Sequence, residues 1–159
     1  MLQDMGSALH NFSEDQLNDE QEIIDNDETL IDYMVFDYCE NLDMYEVLKN
    51  FDNERFTEPV ARFYFDQMLS CVEYLHENGI AHWDLKLENV VLDWDYNLKL
   101  IDFGLAENVR QASDWKLVSG TIGYISPEQY YSESSSKVCL FKGDIFSLGV
   151  FLFNLVTGR

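Results

Sequence analysis

The chain has 159 residues, which is the length of one domain, and its 47% apolar content is enough to form a core. Its formal charge of −20 disfavours binding to nucleic acid and to anionic membranes, because both attract proteins of the opposite sign. We therefore expect no nucleic-acid partner and no membrane partner, and the charge favours a basic partner or substrate. Most of the acids are expected to form a solvated surface.

The cysteines indicate a reducing location. They are three in number, widely spaced and without metal-site spacing. Reduced thiols are typical of cytosolic and nuclear proteins, and the N-terminus carries Asp4 and no basic segment of the kind that starts a secretory signal. We expect a cytoplasmic or nuclear location. The cysteines are Cys39, Cys71 and Cys139.

The first part of the chain is strongly acidic, because residues 1–48 contain no Lys or Arg. Residues 1–21 have no helical or strand period and are interpreted as an acidic lead-in. The apolar stretches 22–24 and 30–38 are separated by an acidic turn and predict two strands. Residues 42–51 place apolar side chains at helical spacing, which predicts a short amphipathic helix.

The clearest predicted helix covers residues 57–76, where apolar side chains keep helical spacing throughout. Thr57 suits the N-cap of this helix, and Gly79 suits its end. Further along, residues 90–92 and 98–101 are apolar and flank a polar turn, which predicts a β-hairpin.

The last third of the chain contains a long loop and an unusually apolar helix. Residues 105–143 have little periodicity and predict a functional loop. A helix is predicted over residues 144–157 and is apolar on nearly every side, so we expect it to be buried from every direction. If nothing covered it, it would expose a large apolar patch, so a partner on this helix is a further expectation. Its apolar run is shorter than the roughly 20 residues that span a bilayer.

Four polar residues near the hairpin have the chemistry that phosphoryl transfer requires. Asn89 precedes the first predicted strand and Asp102 follows the second, so antiparallel pairing brings both to one end of the hairpin. Oxygen ligands at that point suit Mg²⁺, which bridges phosphates. Asp84 can accept a proton from an attacking hydroxyl, and Lys86 can place positive charge on the moving phosphoryl group. Each residue alone would be an ordinary turn residue, but the combination indicates a site.

The chain resembles the eukaryotic protein kinases of the Ser/Thr type over residues 22–159, and it is most similar to the calcium/calmodulin-dependent and energy-sensing groups. The motifs that carry the resemblance are His82-Trp83-Asp84 at the family's His-Arg-Asp, Asp102-Phe103-Gly104 at its metal-binding triplet, and Ser126-Pro127-Glu128 at its Ala-Pro-Glu.

The resemblance implies an α+β fold that represents part of a kinase domain. It would contain the last strands of the small lobe, the hinge and most of the helical large lobe, without the N-terminal part of the small lobe and without the C-terminal helices. The implied hinge lies at about residues 36–41, the catalytic loop at 82–89, the activation segment at 102–128 and the central helix at 144–157.

The resemblance also implies roles for single residues, with ATP and Mg²⁺ as cofactors. Asp84 would be the catalytic base, Lys86 would face the phosphate, and Thr121 is typical of Ser/Thr kinases. Asn89 and Asp102 would be the Mg²⁺ ligands. His82 is interpreted as a packed core histidine, and Asp144 is interpreted as an anchor of the catalytic loop.

The residues that the resemblance assigns to the nucleotide site lie mainly in and after the hinge. Phe36 would be the gatekeeper, the backbone of Asp37 and of Cys39 would hold adenine, Val91 would lie beneath it, and Asp43 would contact ribose. Glu88 is grouped with these residues. Together with Asp43 and the acidic charge, Glu88 suggests a protein substrate with basic residues near the phosphorylated position, although Asn154 stands where arginine-directed relatives often have Glu.

The chain also departs from the family pattern. The glycine-rich loop, the strand lysine and its glutamate partner are missing, so a bound ATP would lose the clamp on its phosphates. Trp83 replaces the arginine that pairs with a loop phosphate, and Leu117 stands at the usual phosphoacceptor. We therefore expect that loop phosphorylation does not switch the protein on. Leu87 replaces the usual proline of the catalytic loop.

The leading functional hypothesis is a protein serine/threonine kinase that transfers the γ-phosphoryl group of ATP to protein hydroxyls. A second hypothesis is a pseudokinase or interaction module that binds partners without catalysis, and a third is an incomplete fragment without a stable fold. The intact set of acid, lysine and metal ligands favours the first hypothesis. The missing clamp, Trp83 and the acidic lead-in favour the second.

Overall fold

The computed structural model describes residues 33–109, 119–131 and 138–158 and divides the chain into two compact units, 1–36 and 37–159. The described residues of the first unit, 33–36, form no helix or strand. The strand predicted over 30–38 is wrong for its described part, because residues 33–38 are all without regular structure. A strand is stable only when a neighbouring strand pairs with it, and in the described ranges no strand pairs with residues 33–38. The strand predicted at 22–24 and the acidic lead-in lie outside the described residues.

The second unit begins with a short helix, α1, at Met44–Lys49. The carboxylate of Asp43 accepts a hydrogen bond from the backbone N–H of Glu46 (2.9 Å), which caps the helix. Met44 and Leu48 are buried, as the helical spacing predicted. The predicted helix over 42–51 is confirmed in its central part, and Asn50 is its C-cap.

The long helix α2, Glu58–Glu77, confirms the clearest prediction from the sequence. Thr57 occupies the N-cap position, although its side chain does not form the capping hydrogen bond. After the helix, Gly79 adopts a φ of 78°, a left-handed conformation that glycine takes without strain. The buried residues recur at helical spacing and form one face: Ala61, Tyr64, Met68, Val72 and Leu75.

The predicted hairpin is also confirmed. Strands β2, Val90–Leu92, and β3, Leu98–Leu100, pair antiparallel, with Val90 opposite Leu100. The carboxylate of Asp93 closes the turn by accepting hydrogen bonds from the backbone N–H groups of Asp95 (3.0 Å) and Asn97 (2.8 Å). This closed turn fixes which residues of the two short strands lie opposite each other.

The stretch predicted as a loop, 105–143, contains regular structure that the sequence did not indicate. Strand β4, Glu107–Asn108, pairs antiparallel with β1, Ile80–Ala81. A single helical turn, α3, covers Pro127–Tyr130, and Ser126 caps it reciprocally with Gln129. Elements of two to four residues are too short to show a period, which explains why they were missed.

The last helix, α4, covers Leu140–Thr157 and thus begins four residues before the predicted start at Asp144. One side of it enters the core through Leu148, Phe151 and Leu155. The expectation of burial from every direction is wrong for the described part, because the other side is exposed. The exposed fractions there are 56% at Ile145, 40% at Phe146, 51% at Phe153 and 39% at Val156.

Among the described residues, α4 is the one helix that is long and apolar enough to cross a membrane by length and composition. Its 18 residues exceed the run considered from the sequence because the helix starts at Leu140. A buried core helix meets the same criteria. The packing of α4 against α2, with Asp144 only 1% exposed, is that of a core helix.

The two phenylalanines on opposite sides of α4 provide a test of this packing. Phe151 is fully buried, whereas Phe153 is half exposed. We expect Phe151→Ala to lower the free energy of unfolding by about 3–5 kcal/mol, because it leaves a cavity in the core. The matched Phe153→Ala should cost about 1 kcal/mol or less. Urea unfolding of both variants measures the difference, and equal losses would contradict the assigned orientation of the helix.

Candidate active site

The segment between β1 and β2 is fixed to helix α4 by one buried carboxylate. The oxygens of Asp144 accept hydrogen bonds from the backbone N–H groups of His82 (2.9 Å) and Trp83 (2.9 Å). The ring of His76 on α2 contributes a third hydrogen bond at 2.8 Å. A buried carboxylate is costly unless its lone pairs are satisfied, and these donors satisfy it. The prediction that Asp144 anchors this segment is confirmed.

His82 is fully buried, and its two ring nitrogens have different partners. Nε2 lies 3.0 Å from the carbonyl oxygen of Ile101, which can only accept, while Nδ1 accepts the backbone N–H of Asp84 at 3.3 Å. This pattern matches a neutral imidazole with its proton on Nε2. Burial lowers the pKa of His82, and its nearby acids only partly oppose that effect. His82, which was predicted to be a core histidine, therefore connects Asp84 to Ile101 through hydrogen bonds, and Ile101 directly precedes Asp102.

Asp84 is the centre of a compact polar cluster. Its Oδ1 accepts the hydroxyl hydrogen bond of Thr121 at 2.7 Å, and its Oδ2 lies 2.8 Å from the Nζ of Lys86. The Nδ2 of Asn89 donates to both Oδ2 (3.0 Å) and the backbone carbonyl of Asp84 (2.8 Å). Lys86 also donates to the hydroxyl of Thr121 at 2.9 Å. The three predicted catalytic residues and one predicted metal ligand are thus brought together.

The cluster also determines the charge of Asp84. Burial by itself would raise the pKa of Asp84, but the hydrogen bonds from Lys86, Thr121 and Asn89 and the charge of Lys86 together hold that pKa below its usual value. Asp84 is therefore an anion at neutral pH. Its oxygens can orient a hydroxyl group and receive its proton.

The two predicted metal ligands lie at the same end of the hairpin. The backbone N–H of Ile101 donates to the carbonyl of Asn89 (2.9 Å), so the residue before Asp102 is paired directly with Asn89. Asp102 is exposed and adopts a φ of 58°. Its Oδ1 accepts the N–H of Gly104 at 3.1 Å.

The donor set at this end of the hairpin fits Mg²⁺. Within the described ranges, both side-chain hydrogen bonds of Asn89 use its nitrogen, which leaves its Oδ1 outside those bonds. In the described part of the chain, no group of three or more His, Cys, Asp or Glu residues could hold a metal ion. Mg²⁺ commonly takes one or two protein ligands and completes its shell with water and phosphate oxygens, which suits the pair Asn89 and Asp102.

The residues assigned to the nucleotide site do not form a single cluster like the one around Asp84. Asp43 and Val91 are bridge partners, but one oxygen of Asp43 already caps α1. Asp37 is exposed and Cys39 is half-buried, in a stretch without regular structure. Burial raises the pKa of the Cys39 thiol, which makes it a poor redox nucleophile. Phe36 is 74% exposed and belongs to the other unit of the chain.

Glu88 lies on the short helical turn Leu87–Asn89, directly before β2. It lines an open cavity of about 890 Å³ whose described lining includes neither Asp43 nor Val91. The floor of the cavity is the exposed apolar side of α4, and its rim carries the carboxylates of Glu54 and Glu88. The role of Glu88 in the nucleotide site stays a prediction.

Sequence reasoning missed a second connection between the site and α4. The hydroxyl of Tyr124 accepts the side-chain N–H of Asn154 on α4 at 2.7 Å and the backbone N–H of Leu87 at 3.4 Å. The hydroxyl of Ser147 donates to the backbone carbonyl of Tyr124 at 2.8 Å. No signal in a single sequence indicates this contact, because its members are 23 to 37 residues apart.

Comparisons with known proteins show which proteins the chain is similar to. The family model described as "Protein kinase domain" matches residues 7–159. The chain is 38% identical to the cell cycle serine/threonine-protein kinase CDC5/MSD2 of Saccharomyces cerevisiae, over 80% of this chain and 18% of the relative. It is 46% identical to the serine/threonine-protein kinase CHK1 of the same yeast, over 63% of this chain and 20% of the relative.

A third similar protein is the carbon catabolite-derepressing protein kinase of Secale cereale, which is 36% identical over 79% of this chain. The chain spans between 18% and 24% of the length of these three relatives. The similarity therefore concerns one part of longer proteins.

The buried neutral ring of His82 predicts a pH dependence of stability. Because its pKa in the folded protein lies below the ordinary 6.5, the unfolded chain takes up the proton first. The stabilisation is complete above pH 6.5 and is lost as the pH falls, at a slope of at most about 1.4 kcal/mol per pH unit. Urea unfolding between pH 7 and 5 measures that slope. This slope should flatten in His82→Gln, and an unchanged slope in that variant would contradict the assignment.

Proposed function

Because the chain belongs to the protein kinase domain family, we propose that the protein is a serine/threonine kinase that transfers the γ-phosphoryl group of ATP to protein hydroxyls. The observation that carries this proposal is the cluster of Asp84, Lys86 and Thr121 with Asn89, beside the exposed carboxylate of Asp102. The names of the relatives support the Ser/Thr type.

In the proposed reaction, the substrate hydroxyl lies against the carboxylate of Asp84. The hydroxyl oxygen forms a bond to the γ-phosphorus, the bond from that phosphorus to the bridging oxygen breaks, and ADP leaves. The hydroxyl proton passes to Asp84. The lowered pKa of Asp84 makes it a weak base, so its main contribution before proton transfer is to orient the hydroxyl.

Lys86 supplies fixed positive charge at the same place. Its Nζ lies between Asp84 Oδ2 and Thr121 Oγ1, at 2.8 and 2.9 Å, so its position is determined by two partners before any substrate binds. A charge that is already oriented stabilises the transferring phosphoryl group without a cost of reorganisation. The hydroxyl of Thr121 holds the side chains of Lys86 and Asp84 in place, because it bonds to both.

Asn89 and Asp102 would hold Mg²⁺ through their side-chain oxygens. A bound ion would supply positive charge that offsets the negative charge of the phosphates. The hairpin contributes to this role because its backbone pairing keeps the two ligand positions adjacent.

A second candidate function is that of a binding module without catalysis. The apolar side of α4 favours it, because Ile145 and Phe153 are more than half exposed in the part of the chain that the structure describes. Exposed apolar patches of this kind mark interaction sites.

Removing the carboxylate at the site distinguishes these functions. We expect Asp84→Asn and Asp102→Asn each to lower the rate of transfer from γ-labelled ATP to a Ser/Thr peptide by roughly 100-fold or more. Asp95→Asn, in the exposed hairpin turn, is the matched control and should leave the rate unchanged. The assay uses protein expressed from its complete coding sequence. Transfer that survives both site variants would contradict the assigned roles, and partner binding without any transfer would favour the binding module.

We also propose that the substrates carry basic residues near the phosphorylated position. The support is the rim of the α4 cavity, where Glu54 and Glu88 form no ion pair with any residue in the described ranges, whereas Lys49 is paired with Glu46 at 3.6 Å. Asp43, which was also considered for this role, contributes less because one of its oxygens caps α1.

A peptide array tests this preference. The protein should phosphorylate peptides with Arg or Lys near the acceptor faster than peptides with neutral residues, and Glu88→Gln should reduce that ratio severalfold, by about the value of one exposed charge pair. Glu73→Gln, an exposed acid on α2 outside the cavity, is the control. A preference for acidic flanking residues would refute the proposal.

A further inference from the structure

We propose that Trp83 is a positioning residue whose buried indole fixes the loop that carries Asp84 between helix α4 and the turn that carries Thr121. The inference depends on the proposed kinase function only for its effect on the reaction rate. The positioning itself is a property of the fold.

Trp83 is attached to α4 at two points. Its backbone N–H donates to Oδ1 of Asp144 at 2.9 Å, and its indole N–H donates to the backbone carbonyl of Leu140 at 3.2 Å. These acceptors lie one helical turn apart, so the pair of bonds fixes both the position and the orientation of the residue. Trp83 is only 6% exposed, which keeps water from competing for the bonds.

The backbone of Trp83 adopts a φ of 65°, a conformation that a bulky side chain rarely takes. Such a conformation persists when the surrounding structure holds it in place. Here it allows the N–H groups of His82 and Trp83 to reach the same carboxylate, that of Asp144. The two bonds of Trp83 to α4 therefore sustain the turn that presents Asp84.

On its other side, Trp83 contacts the turn that leads to Thr121. A Cβ atom at Gly120 would lie 3.0 Å from the carbonyl oxygen of Trp83 and 2.7 Å from Ile125, so only glycine allows this approach. Gly120 also has a φ of 113°. The next residue, Thr121, bonds to Asp84 at 2.7 Å. Displacement of Trp83 would therefore alter the Asp84–Thr121 bond from both ends.

This arrangement has a consequence for regulation. Trp83 stands where protein kinases typically have an arginine that pairs with a loop phosphate. Its indole N–H is uncharged and already donates to the carbonyl of Leu140. The indole cannot neutralise a phosphate, and α4 holds the loop instead. The placement of Asp84 should therefore not depend on phosphorylation of the chain.

The substitution Trp83→Phe tests this inference, because it keeps an aromatic ring and removes the indole N–H. Trp94→Phe is the matched control, since Trp94 is 74% exposed in the hairpin turn. Amide hydrogen exchange should become about fivefold faster at residues 82–84 and 120–124 in Trp83→Phe, which is the effect expected for one lost buried hydrogen bond. It should not change there in Trp94→Phe or after phosphatase treatment of the unmodified sequence.

The rate of phosphoryl transfer provides the second readout. We expect kcat to fall in Trp83→Phe with little change in the KM for ATP, because the substitution displaces Asp84 and not the nucleotide. Unchanged exchange in Trp83→Phe, or exchange that phosphatase treatment accelerates, would overturn the inference. Accelerated exchange in a protein without any transfer activity would support the positioning role and refute the kinase function.

If Trp83→Phe does not fold, NMR of the unmodified sequence still decides the question. The indole proton of Trp83 should exchange with solvent much more slowly than that of Trp94, and equal rates would overturn the inference.

Discussion

The arrangement of the site depends on a buried carboxylate, that of Asp144. It is 1% exposed and lies near the start of α4, where it accepts hydrogen bonds from the backbone of His82 and Trp83 and from the ring of His76. A carboxylate in such a place is stable only while its donors remain in position, and the donors are fixed by the same bonds. Helix α2, helix α4 and the loop that carries Asp84 are thereby joined at one point.

The chemistry of the site follows from the residues that this anchor positions. Asp84 retains its negative charge despite burial because Lys86, Thr121 and Asn89 donate to it. The same bonds fix Lys86 and leave the carboxamide oxygen of Asn89 directed elsewhere. Asp102 is positioned independently, through the backbone pairing of the hairpin. Rigid elements thus hold the proposed base and the proposed metal ligands, which is the arrangement that preorganised electrostatic catalysis requires.

Helix α4 has two roles that its composition alone does not separate. Its buried side contributes Phe151 and Leu155 to the core and Asp144 to the anchor. Its other side, with Ile145 and Phe153, forms the apolar floor of the cavity whose rim carries Glu88. An apolar sequence indicates that a helix packs against apolar neighbours. It does not indicate which sides of the helix are buried among the residues that the structure describes.

The sequence by itself determined helix α2, the hairpin and the identity of the polar residues near it, because each depends on a local period or on a motif of short spacing. It did not determine the pairing of β1 with β4, the start of α4 at Leu140, or the exposure of Ile145, because these depend on contacts between distant segments. Tertiary structure alone decided that the backbone at Trp83 meets Asp144, 61 residues away. A hydrogen bond of that range has no counterpart in local sequence, since it forms only when two packed elements bring its donor and acceptor together.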